Sequence, residues 1–98
     1  MKSWRKQLPK AERTVTVGSS VGLHARPASL FVQAASATGH SVTITKSTGD
    51  SADAASILSV LALAVGNGEE LVLAVEGDNA EAVADELAAM LASDLDAS

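Results

Sequence analysis

The chain of 98 residues contains no cysteine, no tyrosine, one tryptophan and one phenylalanine. Without cysteine, neither a disulfide framework nor a thiolate metal site can form. Aromatic residues make up only 2% of the chain although 47% of it is hydrophobic, so its core has to be built from Ala, Val, Leu and Ile. That apolar content excludes a fully disordered chain, and the length predicts one domain.

Long hydrophobic runs are also absent. The longest nearly continuous apolar stretch, residues 57–65, is much shorter than the roughly 20 residues that span a bilayer. The basic residues at the N-terminus are not followed by the apolar segment of a secretory signal. We therefore expect a small, soluble, cytoplasmic domain that does not insert into membranes.

Basic residues are few and unevenly placed. Seven of them stand against 12 acidic residues, for a net charge of −5, and this excludes binding to nucleic acid through a cationic face. Residues 1–13 hold five of the seven, whereas residues 14–98 hold only Arg26 and Lys46. We expect residues 1–10 to be a flexible basic arm and residues 11–98 to be the folded domain.

Hydrophobic periodicity predicts four strands and three helices. Alternation of polar and apolar residues indicates strands over 14–17, 41–46 and 69–76, with a short strand near 50–53. Helical spacing indicates helices over 25–38 and 54–65 and a third that opens at Asp78, which forms a capping pair with Glu81. The order β-α-β-β-α-β-α predicts an α+β open-faced sandwich, in which a four-stranded antiparallel sheet carries three helices on one face.

The second predicted helix has no polar face. Apart from Ser56 and Ser59, residues 54–65 are all apolar. Such a helix is either buried all round or shows apolar surface to a partner. A domain this small rarely surrounds a helix completely, so we expect this helix to show apolar surface to a partner.

Most candidate chemical motifs lack the neighbouring residues or elements that their chemistry requires. The pattern G-x-S-x-G at residues 18–22 lacks the helix that must follow a nucleophile elbow directly. Two histidines without cysteine or suitably spaced carboxylates predict no metal site, and we expect no cofactor. His40 lies in a polar turn, where we expect a solvated side chain.

One segment, Gly22-Leu23-His24-Ala25-Arg26-Pro27, does suggest chemistry. A histidine before a helix can simply cap it, but a helix N-terminus also carries about half a positive elementary charge and attracts anions. The unprotonated imidazole ring is the nucleophilic form. Arg26 adds a bidentate donor for phosphate oxygens. Together His24 and Arg26 suit the acceptance and release of a phosphoryl group.

These residues resemble a known family, the histidine-containing phosphocarrier proteins (HPr) of the phosphoenolpyruvate-dependent sugar phosphotransferase system. The resemblance rests on G-L-H-A-R-P-A-S at residues 22–29 and on Ala55-Ser56-Ile57-Leu58, which looks like the second signature of the family. It extends from about Thr14 to Leu95, and the alanine-rich, lysine-poor composition resembles actinobacterial members.

The resemblance implies a phosphoryl carrier rather than an enzyme. His24 would be phosphorylated on a ring nitrogen by enzyme I and would pass the group to a IIA domain of a sugar permease, with Arg26 neutralising the group in transit. It implies a docking surface, formed by Leu23, Ala25, Ile57, Leu58 and Leu61. Ser56 matches the regulatory serine of the family, although it can also serve only as a helix cap.

The other partners implied are a regulatory kinase and a transcription regulator, and we expect a monomer. Two alternatives stay open: a regulatory interaction module with the same fold, and a carrier for a non-sugar branch of the system.

Overall fold

Three helices lie on one face of a four-stranded antiparallel sheet in the computed structural model, which describes residues 10–93. The strands are β1 (Lys10–Thr16), β2 (Ser41–Lys46), β3 (Ser51–Asp53) and β4 (Glu70–Glu76), and the helices are α1 (Ala25–Ala37), α2 (Ile57–Ala62) and α3 (Ala80–Ala92). The strand order is β1-β4-β2-β3. The predicted open-faced sandwich is confirmed. Within residues 10–93, none of the helices is long and apolar enough to cross a membrane.

The core lies between the sheet and the helices. Along β4, Leu71, Leu73 and Val75 point inward and are at most 1% exposed, while Glu70 and Glu76 lie on the exposed face. This period of two follows from the pleat of a strand. The core consists largely of Ala, Val, Leu and Ile, with the fully buried ring of Phe31 on α1 among them.

The pairing of the strands defines two ends of the sheet. At one end, Thr16 pairs with Glu70, and the last residue of β2, Lys46, pairs with Leu71 on the same strand. At the other end, Glu76 pairs with both Lys10 and Ser41. The chain leaves β1 at the first of these ends and enters α1 there, so His24 stands at the end marked by Thr16 and Lys46.

Strand β1 begins earlier than the alternation predicts. It starts at Lys10, which pairs with Glu76, rather than at Thr14. The strand extends to Lys10 because Ala11 and Val15 both face the core and every residue of Lys10–Thr16 pairs with a residue of β4. Lys10 therefore belongs to the sheet and not to the basic arm, and the rest of that arm, residues 1–9, lies outside the described residues.

Helix α2 is shorter than the predicted 54–65. The Asp53 carboxylate accepts a hydrogen bond from the Ala55 amide at 2.9 Å, which holds residues 54 and 55 in a turn. At the other end, Ala64 has φ +55°, a left-handed conformation that cannot continue a right-handed helix. An apolar run does not reveal either feature.

The start of α3 also differs from prediction. Its N-cap is Asn79 rather than Asp78, and Asn79 has φ +62° with no capping hydrogen bond from its side chain. Asparagine tolerates this left-handed conformation better than most residues. The preceding Gly77, with φ +145°, turns the chain out of β4, and this turn moves the helix start by one residue.

Candidate functional site

The segment of residues 17–24, here called the histidine loop, joins β1 to α1. Its two ends are anchored in the core by the side chains of Val17 and Leu23, each 1% exposed. The Leu23 amide donates a hydrogen bond to the carbonyl oxygen of Val65 at 2.9 Å. Gly22 has φ +71°, and a Cβ atom there would lie 2.3 Å from the Val65 oxygen. Glycine is therefore required at position 22 by both conformation and space.

His24 is the N-cap residue of α1. Its backbone is extended, with φ −121° and ψ 158°, and its side chain makes no capping hydrogen bond. The carbonyl oxygen of His24 accepts the first helical hydrogen bond, from the Ala28 amide at 3.4 Å. The imidazole is thus not used in capping, and this exposed ring stands at the positive end of a 13-residue helix.

The first turn of α1 holds the residues that follow His24. Ala25 has φ +41°, a strained conformation for a residue with a Cβ atom. Arg26 is exposed, two positions from His24, and Pro27 is buried. Proline suits this turn because its nitrogen has no hydrogen to leave unpaired. His24 and Arg26 therefore both lie, exposed, at the N-terminus of α1.

Helix α2 packs against α1 and exposes part of its apolar surface. Val60 is fully buried, whereas Ile57 is 36% and Leu58 is 76% exposed. Leu61 is half-buried. Ser56 is the N-cap of α2, and its hydroxyl accepts a hydrogen bond from the Ser59 amide at 3.2 Å. Ser56 therefore has a structural role as a helix cap.

The expected docking surface needs one correction and one addition. Leu23 is 1% exposed and packs in the core, so its side chain offers nothing to a partner. Its burial follows from the hydrogen bond that draws its backbone onto Val65. Val21, which is not among the residues predicted from the sequence, is 46% exposed in the histidine loop. The sequence offered one signal, an apolar residue standing between Ser20 and Gly22.

The second histidine lies at the opposite end of the sheet and is not simply solvated. His40 Nδ1 lies 2.7 Å from the Thr38 carbonyl oxygen, and Nε2 lies 2.5 Å from that of Asp78. A neutral imidazole has one N–H donor, so only the protonated ring can donate to both oxygens. The Asp78 and Thr38 carbonyls accordingly raise the pKa of His40. His40 joins the α1–β2 turn to the β4–α3 turn.

Metal ligation has no support in the part of the chain that the structure describes. Within residues 10–93, no three side chains of His, Asp or Glu lie together in a way that could hold a metal ion. The polar side chains that the structure places at the N-terminus of α1 include the imidazole of His24 and the guanidinium of Arg26.

A family model described as PTS HPr component phosphorylation site matches residues 11–93. The chain belongs to the PTS-HPr family. It is 54% identical over 86 residues to the phosphocarrier protein HPr of Streptomyces coelicolor, covering 88% of this chain and 92% of that protein. It is 46% identical to the phosphocarrier protein HPr of Haloferax volcanii, covering 84% of this chain and 93% of that one.

Solved structures of this family share the fold. The crystal structure of a phosphocarrier protein HPr from Bacillus anthracis superposes with a TM-score of 0.79 at 36% identity, covering 84% of this chain and 96% of that one. The resemblance read from Gly22–Ser29 is thus confirmed over the whole domain, and the chain is a member of a phosphocarrier family of the phosphotransferase system.

Proposed function

We propose that this chain carries a phosphoryl group on His24 between phosphorylated enzyme I and the IIA domain of a sugar permease. The observation that carries the proposal is the position of His24: an exposed imidazole at the N-terminus of α1, two residues from Arg26, in a member of the PTS-HPr family. The proposal places the protein in the cytoplasm, where both partners would be met.

The proposed step is a substitution at phosphorus. A ring nitrogen of His24 attacks the phosphorus atom, and the N–P bond forms as the bond between phosphorus and the donor atom of enzyme I breaks. Negative charge on the transferred oxygens is met by Arg26 and by the N-terminus of α1. Phosphoryl transfer depends mainly on such positioning and charge stabilisation, so a domain of this size can take part without being a catalyst in its own right. In the onward step, a histidine of the IIA domain displaces His24 from phosphorus in the same way.

The docking surface in this proposal is formed by Val21, Ala25, Ile57, Leu58 and Leu61. The exposure of Leu58 supports it, because a large apolar side chain in water is stabilised when a partner covers it. Removing that side chain with Leu58→Ser should raise the enzyme I concentration needed for half-maximal transfer and should have little effect on stability.

The first test locates the phosphate. The protein is incubated with enzyme I and labelled phosphoenolpyruvate, and an acid-labile phosphate is mapped. His24→Ala should abolish labelling while the circular dichroism spectrum stays that of wild type, because the exposed ring contributes little packing. His40→Ala is the matched control, since it removes the other histidine at the far end of the sheet, and it should be labelled normally. Labelling of His24→Ala would refute the proposal.

The second test addresses Arg26. Arg26→Glu should slow transfer by about a hundredfold to a thousandfold, the range that follows the loss of one charge-stabilising group. Lys10→Glu makes the same charge reversal on an exposed residue of β1 and should transfer at the wild-type rate. Equal rates for both variants and the wild type would show that Arg26 does not contact the group in transit.

The third test concerns Ser56, which we propose as a regulatory phosphorylation site. Aspartate is as good an N-cap as serine, so Ser56→Asp should leave the unfolding midpoint near that of wild type. The added charge borders Ile57 and should weaken the docking of enzyme I because a partner would have to desolvate it. Ala82→Glu adds a charge to the exposed side of α3 and should affect neither property. Loss of folding in Ser56→Asp without a separate binding defect would count against the docking surface.

A further inference from the structure

The histidine loop is held in place by a second loop, residues 63–69, here called the supporting loop, which connects α2 to β4. Four hydrogen bonds of 2.9 Å join the two loops. They run from Leu23 N to Val65 O, from Gly68 N to Val17 O, from Val17 N to Glu69 O, and from Asn67 Nδ2 to Ser19 O. The contacts are spread from Val17 to Leu23, so the histidine loop follows the supporting loop along nearly its whole length.

The two loops also touch without intervening side chains. A Cβ atom at Gly22 would lie 2.3 Å from the Val65 oxygen and 2.8 Å from Gly66 Cα. Because nothing flexible separates the two backbones there, a shift of the supporting loop at residues 65 and 66 displaces the residue two positions before His24.

Two charged side chains hold the supporting loop. Lys46 Nζ, at the end of β2, donates to the Leu63 carbonyl oxygen at 3.0 Å and lies 3.2 Å from Glu69 Oε2. The other carboxylate oxygen, Glu69 Oε1, accepts a hydrogen bond from the Gly66 amide at 2.9 Å. The two side chains therefore tie the start, the middle and the end of the loop to one another and to β2.

The environment of the pair favours a lasting contact. The Lys46 side chain is 16% exposed and that of Glu69 is 30% exposed, so water screens the pair less than it screens an ion pair on the open surface. The Gly66 amide, and after it Lys46, lowers the pKa of Glu69, so the carboxylate is ionised at neutral pH. In residues 14–98 there are only two cations, and Lys46 is the one that is not next to His24.

We propose that Lys46 and Glu69 are positioning residues for phosphoryl transfer, acting through the supporting loop to hold His24 in the orientation that attacks phosphorus. This inference rests on the proposed function of His24. Neither side chain contacts the transferred group in the proposal. Their effect is geometric, and a displacement of about 1 Å at a reacting atom can cost roughly a hundredfold in rate.

The transfer test compares Lys46→Met, Glu69→Gln and Lys46→Arg in rapid-quench measurements with phosphorylated enzyme I. We expect the saturating rate of Lys46→Met and Glu69→Gln to fall by about tenfold or more, within the range set by misplacement of a reacting atom. The half-saturating concentration should change by less than the rate does, because Val21 and Ala25 lie in or next to the displaced loop whereas Ile57, Leu58 and Leu61 lie on α2. Lys46→Arg restores the charge and should recover most of the rate.

A matched control separates positioning from general loss of stability. Asp85→Asn removes the negative charge from another ion pair, in which Arg13 Nε lies 2.8 Å from Asp85 Oδ1 and joins β1 to α3. Because the Asp85 side chain is 68% exposed, this change should lower stability no more than Lys46→Met does, and it should leave the saturating rate unchanged. A rate loss in Asp85→Asn equal to that in Lys46→Met would overturn the proposal, as would an unchanged rate in Lys46→Met.

A second measurement does not depend on phosphate. In Lys46→Met, exchange of the Leu23 amide hydrogen should be faster and the ring ¹⁵N resonances of His24 should shift, whereas both should stay as in wild type in Asp85→Asn. If wild type accepts no phosphate, the proposed function fails while these spectra still report whether the pair positions His24. Unchanged Leu23 exchange and unchanged His24 resonances in Lys46→Met would refute the positioning role by themselves.

Discussion

Replacing Gly22 by alanine should destabilise the protein more than any conformational preference alone explains. Gly22 and Gly39 have nearly the same backbone conformation, with φ +71° and φ +72°. Their surroundings differ. A Cβ atom at Gly22 would lie 2.3 Å from the Val65 oxygen, whereas at Gly39 it would meet nothing within 4 Å. Both substitutions therefore carry the cost of a left-handed backbone at alanine, and only Gly22→Ala adds a steric clash.

Two separate energetic costs contribute. Placing alanine in the left-handed region costs about 1–2 kcal/mol, and this is the whole expected effect of Gly39→Ala. In Gly22→Ala the new methyl group must also push the histidine loop away from Val65. That movement breaks the hydrogen bond from the Leu23 amide, and a buried amide left unpaired costs about 1–3 kcal/mol. Gly22→Ala should thus lower the free energy of unfolding by about 2–5 kcal/mol.

Equilibrium unfolding in urea measures both variants. The slope of the transition should be the same in both and in wild type, so that the midpoints report stability directly. The shift in Gly22→Ala should exceed that in Gly39→Ala by at least about 1 kcal/mol. Equal shifts would mean that the two loops are not in rigid contact at Gly22, and the support of the histidine loop by Val65 would have to be abandoned.

Three further predictions concern stability. Ser19 is 1% exposed, and within residues 10–93 its hydroxyl has no hydrogen-bond partner. Ser19→Ala should therefore raise the free energy of unfolding by about 1 kcal/mol, and a lower free energy of unfolding measured in urea would contradict this prediction. Ala64 has φ +55°, and Ala64→Gly should raise the free energy of unfolding by up to about 1 kcal/mol because the strain of the left-handed conformation is relieved. A lower midpoint of unfolding in urea would contradict this prediction. Hydrogen bonds to Asp78 and Thr38 raise the pKa of His40 above its ordinary 6.5, so its contribution to stability is present at low pH and is lost as pH rises through the folded-state pKa. Urea unfolding from about pH 6 to about pH 8 should therefore show a stability difference between wild type and His40→Gln that shrinks as pH rises. A difference that stays constant over this range would contradict the stabilising role of the protonated His40 ring.

Much of the fold followed from local patterns. The strand over 41–46 is confirmed residue for residue, because a run of alternating side chains between a glycine turn and a polar turn has one pairing register that buries Val42 and Ile44. The placement of Pro27 in the first turn of α1 likewise needs only the chemistry of proline.

The sequence predictions were wrong where a single hydrogen bond or backbone conformation sets the structure of a few residues. Helix α2 was predicted too long because the carboxylate of Asp53 and the left-handed Ala64 end it, and neither alters the apolar pattern. The burial of Leu23 was missed for a related reason. Next to His24 in the chain it looks like part of the site, but the hydrogen bond to Val65 directs it inward.

For the candidate site, the sequence by itself supplied the groups on which the proposed chemistry depends. An imidazole, a guanidinium two residues later and a proline in the first turn are local features, and their meaning depends on covalent order and on the properties of a helix N-terminus. Only the tertiary structure revealed what holds that terminus in place. Lys46 and Glu69 are 23 residues apart in the chain and meet because β2 and β4 pair side by side. Such pairing depends on which strand buries its apolar face against which neighbour, and no local pattern contains that information.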